Sequence, residues 1–179
     1  NGIFFGVKDN YATPGTGVKR LIPDYLNTNL GGYFISTLNL NEDLNFGFGL
    51  RYEHSSSDVY KYYRNSRWEN ESYQDRLGEF VIDEVLSQKL IRKKVVFNTF
   101  SSNTGFVKEF EKKYSLSIQH NYTERAPNIA EMFSGGLHHS LASIEYGDPF
   151  LKKEKTHKVL VDFEKKNSKL NYRINPYLS

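Results

Sequence analysis

Strict alternation of apolar and polar residues is the feature of this sequence that most constrains its fold. In residues 44–53 every second side chain is apolar, and polar residues or glycines stand between them. Residues 114–123 and 170–175 repeat the pattern. Because successive side chains of a strand point to opposite faces, a period of two predicts strands with one apolar and one polar face. With the less regular segments we predict seven strands, the others being at 3–7, 34–40, 96–110 and 159–163.

The connections between these strands alternate between short and long. Tight polar turns are predicted at 41–43, 111–113 and 166–168, whereas the long connections cover roughly 8–28, 55–92 and 125–154. Short turns at one end and long loops at the other are typical of an antiparallel up-and-down transmembrane β-barrel, whose strands alternate apolar outward and polar inward. A soluble antiparallel β sandwich that binds a ligand in its loops is the alternative, because one buried sheet face produces the same alternation.

Composition excludes several other classes. The formal charge of +3, from 24 Lys and Arg against 21 Asp and Glu, is too balanced to indicate nucleic-acid binding. The absence of cysteine excludes disulfides and thiolate zinc sites. No run of about 18 apolar residues is present, so a transmembrane helix is not expected. A membrane would have to be crossed by strands.

Seven strands are too few to close a barrel, since bacterial barrels have an even number of strands and at least about eight. Open sheet edges would leave backbone groups unpaired in lipid. We therefore expect residues 1–179 to be a fragment of one barrel domain, without signal peptide or plug domain. Four tyrosines near strand ends, at positions 52, 114, 122 and 172, are expected at the membrane interfaces.

The long connection 125–154 carries the most specific motifs. It contains Arg-Ala-Pro-Asn-Ile-Ala-Glu-Met-Phe at 125–133 and Tyr-Gly-Asp-Pro-Phe-Leu-Lys-Lys-Glu at 146–154. This pair of boxes resembles the TonB-dependent outer-membrane receptors, which have an aromatic-Arg-Ala-Pro box followed by an Asn-Pro-Asn-Leu-Lys-Pro-Glu box. Segments 14–25 and 49–52 also resemble that family. The motif residues expected to be structural are Arg125, Ala126, Pro127, Glu131, Gly147, Asp148, Pro149, Leu151 and Glu154.

The resemblance implies a receptor in the outer membrane of a Gram-negative bacterium. Such receptors take up a scarce nutrient, such as an iron-siderophore complex, haem, cobalamin or a glycan, through a barrel of about 22 strands. The implied partners are outer-membrane lipid, the plug and remaining strands of the same protein, and the TonB-ExbB-ExbD complex. The TonB box through which the family couples to that complex is not found in these residues. A structural or adhesive outer-membrane barrel without uptake function is a further alternative.

The sequence departs from the family pattern at four positions. Glu124 stands where an aromatic residue is usual, and Met132 where leucine is common. Phe150 replaces an asparagine and Lys153 a proline. Because proline restricts its own backbone and that of the preceding residue, Lys153 weakens any inference about the loop conformation.

Candidate ligand-binding residues lie in the long connections. His138 or His139 is a candidate haem ligand, because imidazole binds haem iron and haem-type members of the family have a histidine in this interval. Gly135 and Gly136 make a turn beside them plausible. The loop around 55–68 contributes aromatic side chains able to stack on sugars or siderophore rings, and these are Tyr60, Tyr62, Tyr63 and Trp68. An aromatic cluster at the membrane interface, near lipid headgroups, is the alternative for the same residues.

Other polar residues are expected to have structural roles. We predict an ion network of Arg125 with Glu131 and Glu154, since arginine binds carboxylates in a bidentate manner. Side chains opposite the apolar stripes should line the barrel lumen, and these are Asn45, Arg51, Gln119, Asn171, Arg173 and Asn175. Apolar residues between 77 and 86 have a spacing compatible with a short helix.

An enzyme is not expected. Ser140, next to His139 and near Asp148 in sequence, lacks a nucleophile elbow around it, and no phosphate-binding or metalloprotease motif is found. The sequence thus predicts no catalytic residue, no assigned metal and no required cofactor.

Overall fold

Antiparallel strands make up most of the chain. The computed structural model describes residues 1–11, 21–111, 113–138, 142–165 and 171–179. Its strands are β1 (Gly2–Asn10), β2 (Asp24–Asn41), β3 (Leu44–Arg64), β4 (Val81–Val85), β5 (Gln88–Phe110), β6 (Tyr114–Arg125), β7 (Gly135–His138), β8 (Ser143–Tyr146), β9 (Glu154–Lys165), β10 (Tyr172–Ile174) and β11 (Tyr177–Leu178). The helices are α1 (Asn65–Asn70), α2 (Gln74–Leu77) and α3 (Ile129–Phe133), with a 3₁₀ turn at Gly78–Phe80.

The strands form one large sheet, here called the wall, and a small separate hairpin. The order along the wall is β1-β2-β3-β5-β6-β9-β10, while β4 pairs with β5 and β11 with β9. Strands β7 and β8 pair only with each other. The seven strands on the main path are the seven predicted from the alternation, and they run up and down in chain order. The predicted antiparallel up-and-down fold is confirmed, and the sheet is not closed among the described residues.

Three strands, β2, β3 and β5, are far longer than the alternation predicts, and β2 has 18 residues where only 34–40 were predicted. Strand β3 has 21 residues and β5 has 23, and they pair continuously from Leu44 with Lys108 to Arg64 with Gln88. The predicted boundary of the loop at residue 55 is therefore wrong, since Tyr60, Tyr62 and Tyr63 lie on β3. Ser55, Ser56 and Ser57 interrupt the alternation but not the hydrogen bonding. Alternation of apolar and polar residues appears only where the two faces of a strand have different surroundings. Backbone hydrogen bonding between strands also continues where both faces are polar, so the alternation underestimates the length of the strand.

The two faces of the wall differ as the pattern predicts. The strand register aligns one apolar row across five strands, formed by Leu38, Phe46, Phe106, Ile118 and Val161. In this row Phe46 and Phe106 have ring centroids 4.9 Å apart. Ile118 is nonetheless 45% exposed and Phe106 49%. The apolar face is thus well ordered but left uncovered by the described residues, which a soluble sandwich would not do.

Tyrosines lie at both limits of this apolar band. Tyr114 and Tyr172 flank Phe163 at the end of the short turns, where their rings pack on it. Tyr52 and Tyr122 lie on the same face toward the end of the long loops. Residues 44–52 of β3 cross the band between these limits, in agreement with the about 9 to 11 residues that a membrane-crossing strand needs.

The buried core lies at the loop end and not in the wall. It is formed by the inner face of β3 and β5 and by the loop helices, through Val59, Tyr63, Trp68, Tyr73, Leu77, Ile91, Val95, Ile129, Met132 and Phe133. We call this region the cap, made of the loop-end parts of β3 and β5, the three helices, the 3₁₀ turn, β4, β7 and β8. Because α1 follows β3 and α3 follows β6, the core joins two of the three long connections.

The apolar segment after residue 76 is not a single helix. Leu77 ends α2 and Phe80 lies in the 3₁₀ turn, whereas Val81 and Val85 belong to β4. Leu86 is fully exposed in a tight turn with φ of 53°. The helical interpretation was wrong because β4 pairs with β5, which converts the second half of the segment into a strand. No helix in the described part of the chain is long and apolar enough to span a membrane.

Candidate functional site

Arg125 organises the motif segment at the loop end of β6. Its Nε and Nη2 donate to the two carboxylate oxygens of Glu154, both at 2.9 Å. Its Nη1 donates to both oxygens of Glu131, at 3.0 and 3.1 Å. The paired carboxylates raise the pKa of Arg125, and hydrogen bonding to Arg125 lowers the pKa of Glu154. The structure brings together the three residues named for the predicted ion network and ties the start of α3 to β9.

A capping box begins α3. The Asn128 side chain accepts a hydrogen bond from Glu131 N at 2.9 Å, and the Glu131 carboxylate accepts one from Asn128 N at 2.8 Å. These reciprocal bonds satisfy backbone donors that a helix N-terminus leaves free. Pro127, before the cap, is buried, and Ala126 is half-buried. Glu131 therefore both starts the helix and binds Arg125.

The second motif box packs against the other end of α3. Gly147 N donates to Ser134 O at 2.9 Å, and Asp148 N donates to Glu131 O at 3.1 Å. The Asp148 carboxylate accepts Phe150 N at 2.9 Å, while Pro149 is buried and Leu151 exposed. Both boxes thus form one folded unit around α3, which accounts for their occurrence together on one connection.

Two departures from the family pattern form a pair with each other. Lys153 Nζ donates to the Glu124 carboxylate at 2.5 Å and to Asn98 O at 2.6 Å. Tyr122 OH and Phe100 N also donate to Glu124. Hydrogen bonds from Lys153 first, and then from Tyr122, lower the pKa of Glu124 to about 2. An ion pair therefore occupies the positions at which the resemblance leads one to expect an aromatic residue and a proline.

The third departure, Phe150, packs on the cap core. Its ring lies 6.3 Å from that of Tyr73, and the Arg76 guanidinium stacks 3.2 Å from its centroid. An asparagine at this position would not make these aromatic contacts. The Phe150 side chain thus helps to hold the second motif box against the helices that follow β3.

Burial separates the four aromatic residues that were predicted to bind ligand. Tyr63 and Trp68 are each only 3% exposed, and with Tyr73 they form a cluster of edge-on rings 5.2 to 5.9 Å apart. Trp68 Nε1 donates to Gln74 Oε1 at 3.1 Å. Trp68 and Tyr63 are thus core residues, although Tyr63 also borders a cavity of the cap, and ligand binding by these two rings stays a prediction. The composition of the loop could not reveal this, because aromatic residues suit both roles.

Tyr60 and Tyr62 are half-buried and lie elsewhere on β3. The Tyr60 ring lies 5.2 Å from the Arg92 guanidinium on the outer face of the wall. Tyr62 borders a cavity of the cap. Ligand binding by these two tyrosines stays a prediction.

That cavity, of about 390 Å³, is cationic. Lys61 of β3, Arg67 of α1 and the hairpin residues Gly135 and Tyr146 line it. The Arg67 guanidinium stacks 4.1 Å from the centroid of Tyr146 and donates to Gly147 O at 3.3 Å. Burial, followed by repulsion from Arg67, lowers the pKa of Lys61 from 10.5 to about 8.

Lys61 and Arg67 did not emerge from the sequence analysis. One signal was available, because Lys61 lies between Val59 and Tyr63 at a spacing of two, on the buried face of β3. A lysine in such a series is unusual, since lysine is almost never fully buried without a partner. The long predicted loop concealed this series.

The candidate haem ligands lie largely outside the residues that the structure describes. His138 ends β7, where its backbone pairs with Ser143, but its side chain and the whole of His139 lie outside the described residues. Gly135 and Gly136, predicted to form a turn, are instead paired within β7. Among the described residues no group of three or more His, Asp or Glu side chains could hold a metal ion.

Several predicted lumen residues share the inner face. Arg51 pairs with Ser101, Gln119 with Gly105, and the register places both on the same side of the wall. Arg173 lies on that side as well and forms an ion pair with Asp162. Asn45 lies at the turn end of the same face of β3, while Asn171 and Asn175 are exposed residues flanking β10.

Comparison with known proteins identifies the family. A family model described as "TonB dependent receptor-like, beta-barrel" matches residues 3–175. A search of curated proteins finds no match. Among solved structures, the crystal structure of a Pseudomonas aeruginosa FadL homologue aligns with 93% of this chain and 43% of its own, at 13% identity and a TM-score of 0.40. The chain thus spans less than half of that structure, and so low a similarity supports no inference. The match over residues 3–175 shows that this chain belongs to the TonB-dependent receptor β-barrel family.

Proposed function

We propose that the intact protein is an outer-membrane receptor that takes up a scarce nutrient with energy from the TonB-ExbB-ExbD complex. The observation that carries the proposal is the family match across residues 3–175, which implies a membrane-embedded barrel that interacts in general with a plug and with TonB. The cargo classes of the proposal are an iron-siderophore complex, haem, cobalamin or a glycan. The proposal includes no enzymatic step and no resident cofactor.

In this proposal the chain supplies part of the barrel wall and its long connections as external loops. The apolar face contacts lipid, the polar face lines the lumen, and the loop end with its cap faces the outside of a Gram-negative cell. Other strands, a plug and a TonB box would complete the protein. The cap supports this arrangement because its buried core packs loop helices from two connections together, and receptor loops need such a scaffold to present binding residues.

Nutrient uptake by cells carrying the full-length gene tests the proposal. Cells are supplied with one candidate nutrient at a time, and accumulation of that nutrient is compared between the gene-deleted strain, the complemented strain and a TonB-deficient strain. We expect accumulation of one nutrient to require both the receptor and TonB. Accumulation that persists without TonB, or an intact protein found outside the outer-membrane fraction, would contradict the proposal.

A further inference from the structure

Lys61 is an unusual residue in the lining of the cationic cavity of the cap. This lysine is only 4% exposed, and its Nζ lies 6.0 Å from the centroid of the Tyr63 ring. No hydrogen bond or ion pair joins this Nζ to a described residue. Such a distant ring contact offsets only part of the hydration that the lysine side chain loses on burial. Its Nζ reaches the cavity beside Gly135. The arrangement leaves room for a partner that this part of the chain does not provide.

A second cation converges on the same point. An atom at the position of a Cβ on Gly135 would lie 2.9 Å from Lys61 Nζ and 3.3 Å from Arg67 Nη1. Arg67 uses Nη2 for its bonds to Gly147 O and Tyr73 OH. Nη1 makes no hydrogen bond with a described residue. Two cationic groups with unused donors thus meet beside a residue that has no side chain.

No carboxylate balances these charges within the cavity. The charged side chains that line it are Lys61, Arg64 and Arg67, and none of the 21 Asp and Glu of the chain is among the lining residues. Segments 12–20 and 139–141, which the structure does not describe, contain no Asp or Glu either. The cavity therefore combines three positive charges with aromatic walls and no acidic residue of this chain.

The neighbouring tyrosines do not supply negative charge. Burial raises the pKa of Tyr63, and it also raises that of Tyr73, so that both phenols are neutral at physiological pH. Asp148, the carboxylate that acts on both phenols, is exposed and already accepts Phe150 N. Tyr146 contributes a ring face to Arg67.

From this geometry we propose that the cavity binds an anionic group, a carboxylate or a phosphate, of a soluble ligand. Lysine supplies a point charge, and the arginine fork binds the planar or tetrahedral oxygens of such groups. The volume of about 390 Å³ is within the roughly 300–1,000 Å³ of small-molecule sites. Lys61 and Tyr63 lie on the face of β3 that also carries Arg51, opposite the apolar row, and for this reason the proposal takes a dissolved ligand and not a lipid headgroup as the occupant. The inference rests on the proposed receptor function, since the ligand is taken to be the cargo.

Calorimetric titration of the full-length receptor, purified in a non-ionic detergent at constant ionic strength, tests this inference. Citrate and inorganic phosphate are the probes. We expect saturable binding of at least one of them, weakened tenfold or more by Lys61→Gln and by Arg67→Gln. Lys94→Gln removes the same charge from the opposite, exposed face of β5 and should leave binding unchanged. Circular dichroism of each variant confirms that it is folded.

A third variant keeps both charges. In Gly135→Ala the added methyl group occupies the point where the two cations converge, so we expect binding to weaken although the charge is preserved. Affinity of the wild type should also fall as the pH rises through about 8, because Lys61 loses its proton, and this pH dependence should be absent from Lys61→Gln. The other charged side chains that line the cavity are those of Arg64 and Arg67.

Two outcomes would overturn the inference. The first is the absence of saturable binding of either probe, or equal binding by the wild type, Lys61→Gln and Arg67→Gln. The second is a phospholipid or lipopolysaccharide, found by mass spectrometry, that co-purifies with the wild type but not with Lys61→Gln, when neither soluble probe binds. Binding to the purified receptor needs no energy source, so a failure of TonB-dependent uptake would not affect this result. Conversely, a receptor with TonB-dependent uptake but no anion binding would refute only the inference.

Discussion

At the residue scale, the motif segment is built on close backbone contact. A Cβ added to Gly147 would lie 2.5 Å from the carbonyl carbon of Met132 and 2.6 Å from Phe133 N. Both are backbone atoms of α3, which cannot move without the helix. Glycine at this position therefore follows from the approach of the second motif box to α3, and not from an unusual φ.

Gly147→Ala should destabilise the cap by about 1 to 3 kcal/mol, as is usual when a well-packed site is overfilled. Thermal unfolding of the full-length receptor in detergent measures the change. Gly47→Ala is the matched control, because an added Cβ there meets nothing within 4 Å. Equal unfolding temperatures for the two variants would show that α3 and the second box do not pack as described.

The Glu124–Lys153 pair should couple energetically. Glu124→Gln and Lys153→Met are each expected to lower the unfolding temperature, and the double variant should lose less than the sum of the two. Lys155 is 3.9 Å from Glu124 and more exposed, so Lys155→Gln is the control and should have little effect. Strictly additive losses would mean that the two charges do not interact in the folded receptor.

The same pair gives a prediction for acid stability. The folded-state pKa of Glu124 lies near 2, below its ordinary value of 4.5. Its contribution is therefore complete above about pH 4.5 and is lost as the pH falls toward 2. Unfolding midpoints measured between pH 5 and pH 2 should fall less steeply for Glu124→Gln than for the wild type. Parallel curves would contradict the assigned pKa shift.

At the element scale, α3 is stabilised by its capping box and its core contacts more than by its own length. A helix of five residues has few internal hydrogen bonds, so the capping box and the contacts of Ile129, Met132 and Phe133 with the core hold it in place. Helix α3 also joins two of the long connections. It belongs to the connection after β6, and it packs on β3 and on the helices of the connection after β3.

Asn128→Ala should loosen this helix. Loss of an N-cap residue costs about 0.5 to 2 kcal/mol, and we expect faster hydrogen exchange in residues 129–134 with little change in the wall. Exchange measured by mass spectrometry on the full-length receptor is the test. Asn70→Ala, at the exposed end of α1, should leave exchange in that segment unchanged. Unaltered exchange in Asn128→Ala would show that the capping box does not hold α3.

At the scale of the whole molecule, the chain has two kinds of packing. The cap encloses a conventional buried core, whereas the wall leaves its apolar face for lipid. This separation explains why a chain with a mean hydropathy of only −0.62 can belong to a membrane protein. Its apolar residues are divided between a small core and a single exposed band.

Opposite faces of β6 should respond differently to charge. Ile118→Arg places a charge on the lipid side near the middle of residues 114–122, where it should cost about 2 to 4 kcal/mol. Gln119→Arg, one residue further along, faces the lumen and should cost much less. Folding of the full-length receptor into lipid vesicles, followed by urea titration, compares the two. A reversed order would invert the assignment of the faces and contradict the proposed orientation of the wall.

The sequence by itself determined the wall. Its period of two predicted the seven strands of the main path, their up-and-down order and the two faces. Successive side chains of a strand point to opposite faces, so the polarity of alternate residues indicates the environment of each face. The motif residues likewise indicated the Arg125 network, since arginine and two carboxylates close in sequence to strand ends have few other arrangements.

Only the tertiary structure decided the length of the strands in the cap, the burial of its aromatic residues and the position of its two cations. The sequence could not show that β3 and β5 continue to Arg64 and Gln88, because hydrogen bonds between backbones do not depend on the polarity of the side chains. It could not show that Trp68 lies in the core while Tyr63 borders both the core and a cavity, because burial there depends on helices from two distant connections. The meeting of Lys61 and Arg67 beside Gly135 has the same origin, since the segment that holds both cations and the segment that holds Gly135 are far apart in the chain and converge only when the loops fold on the wall.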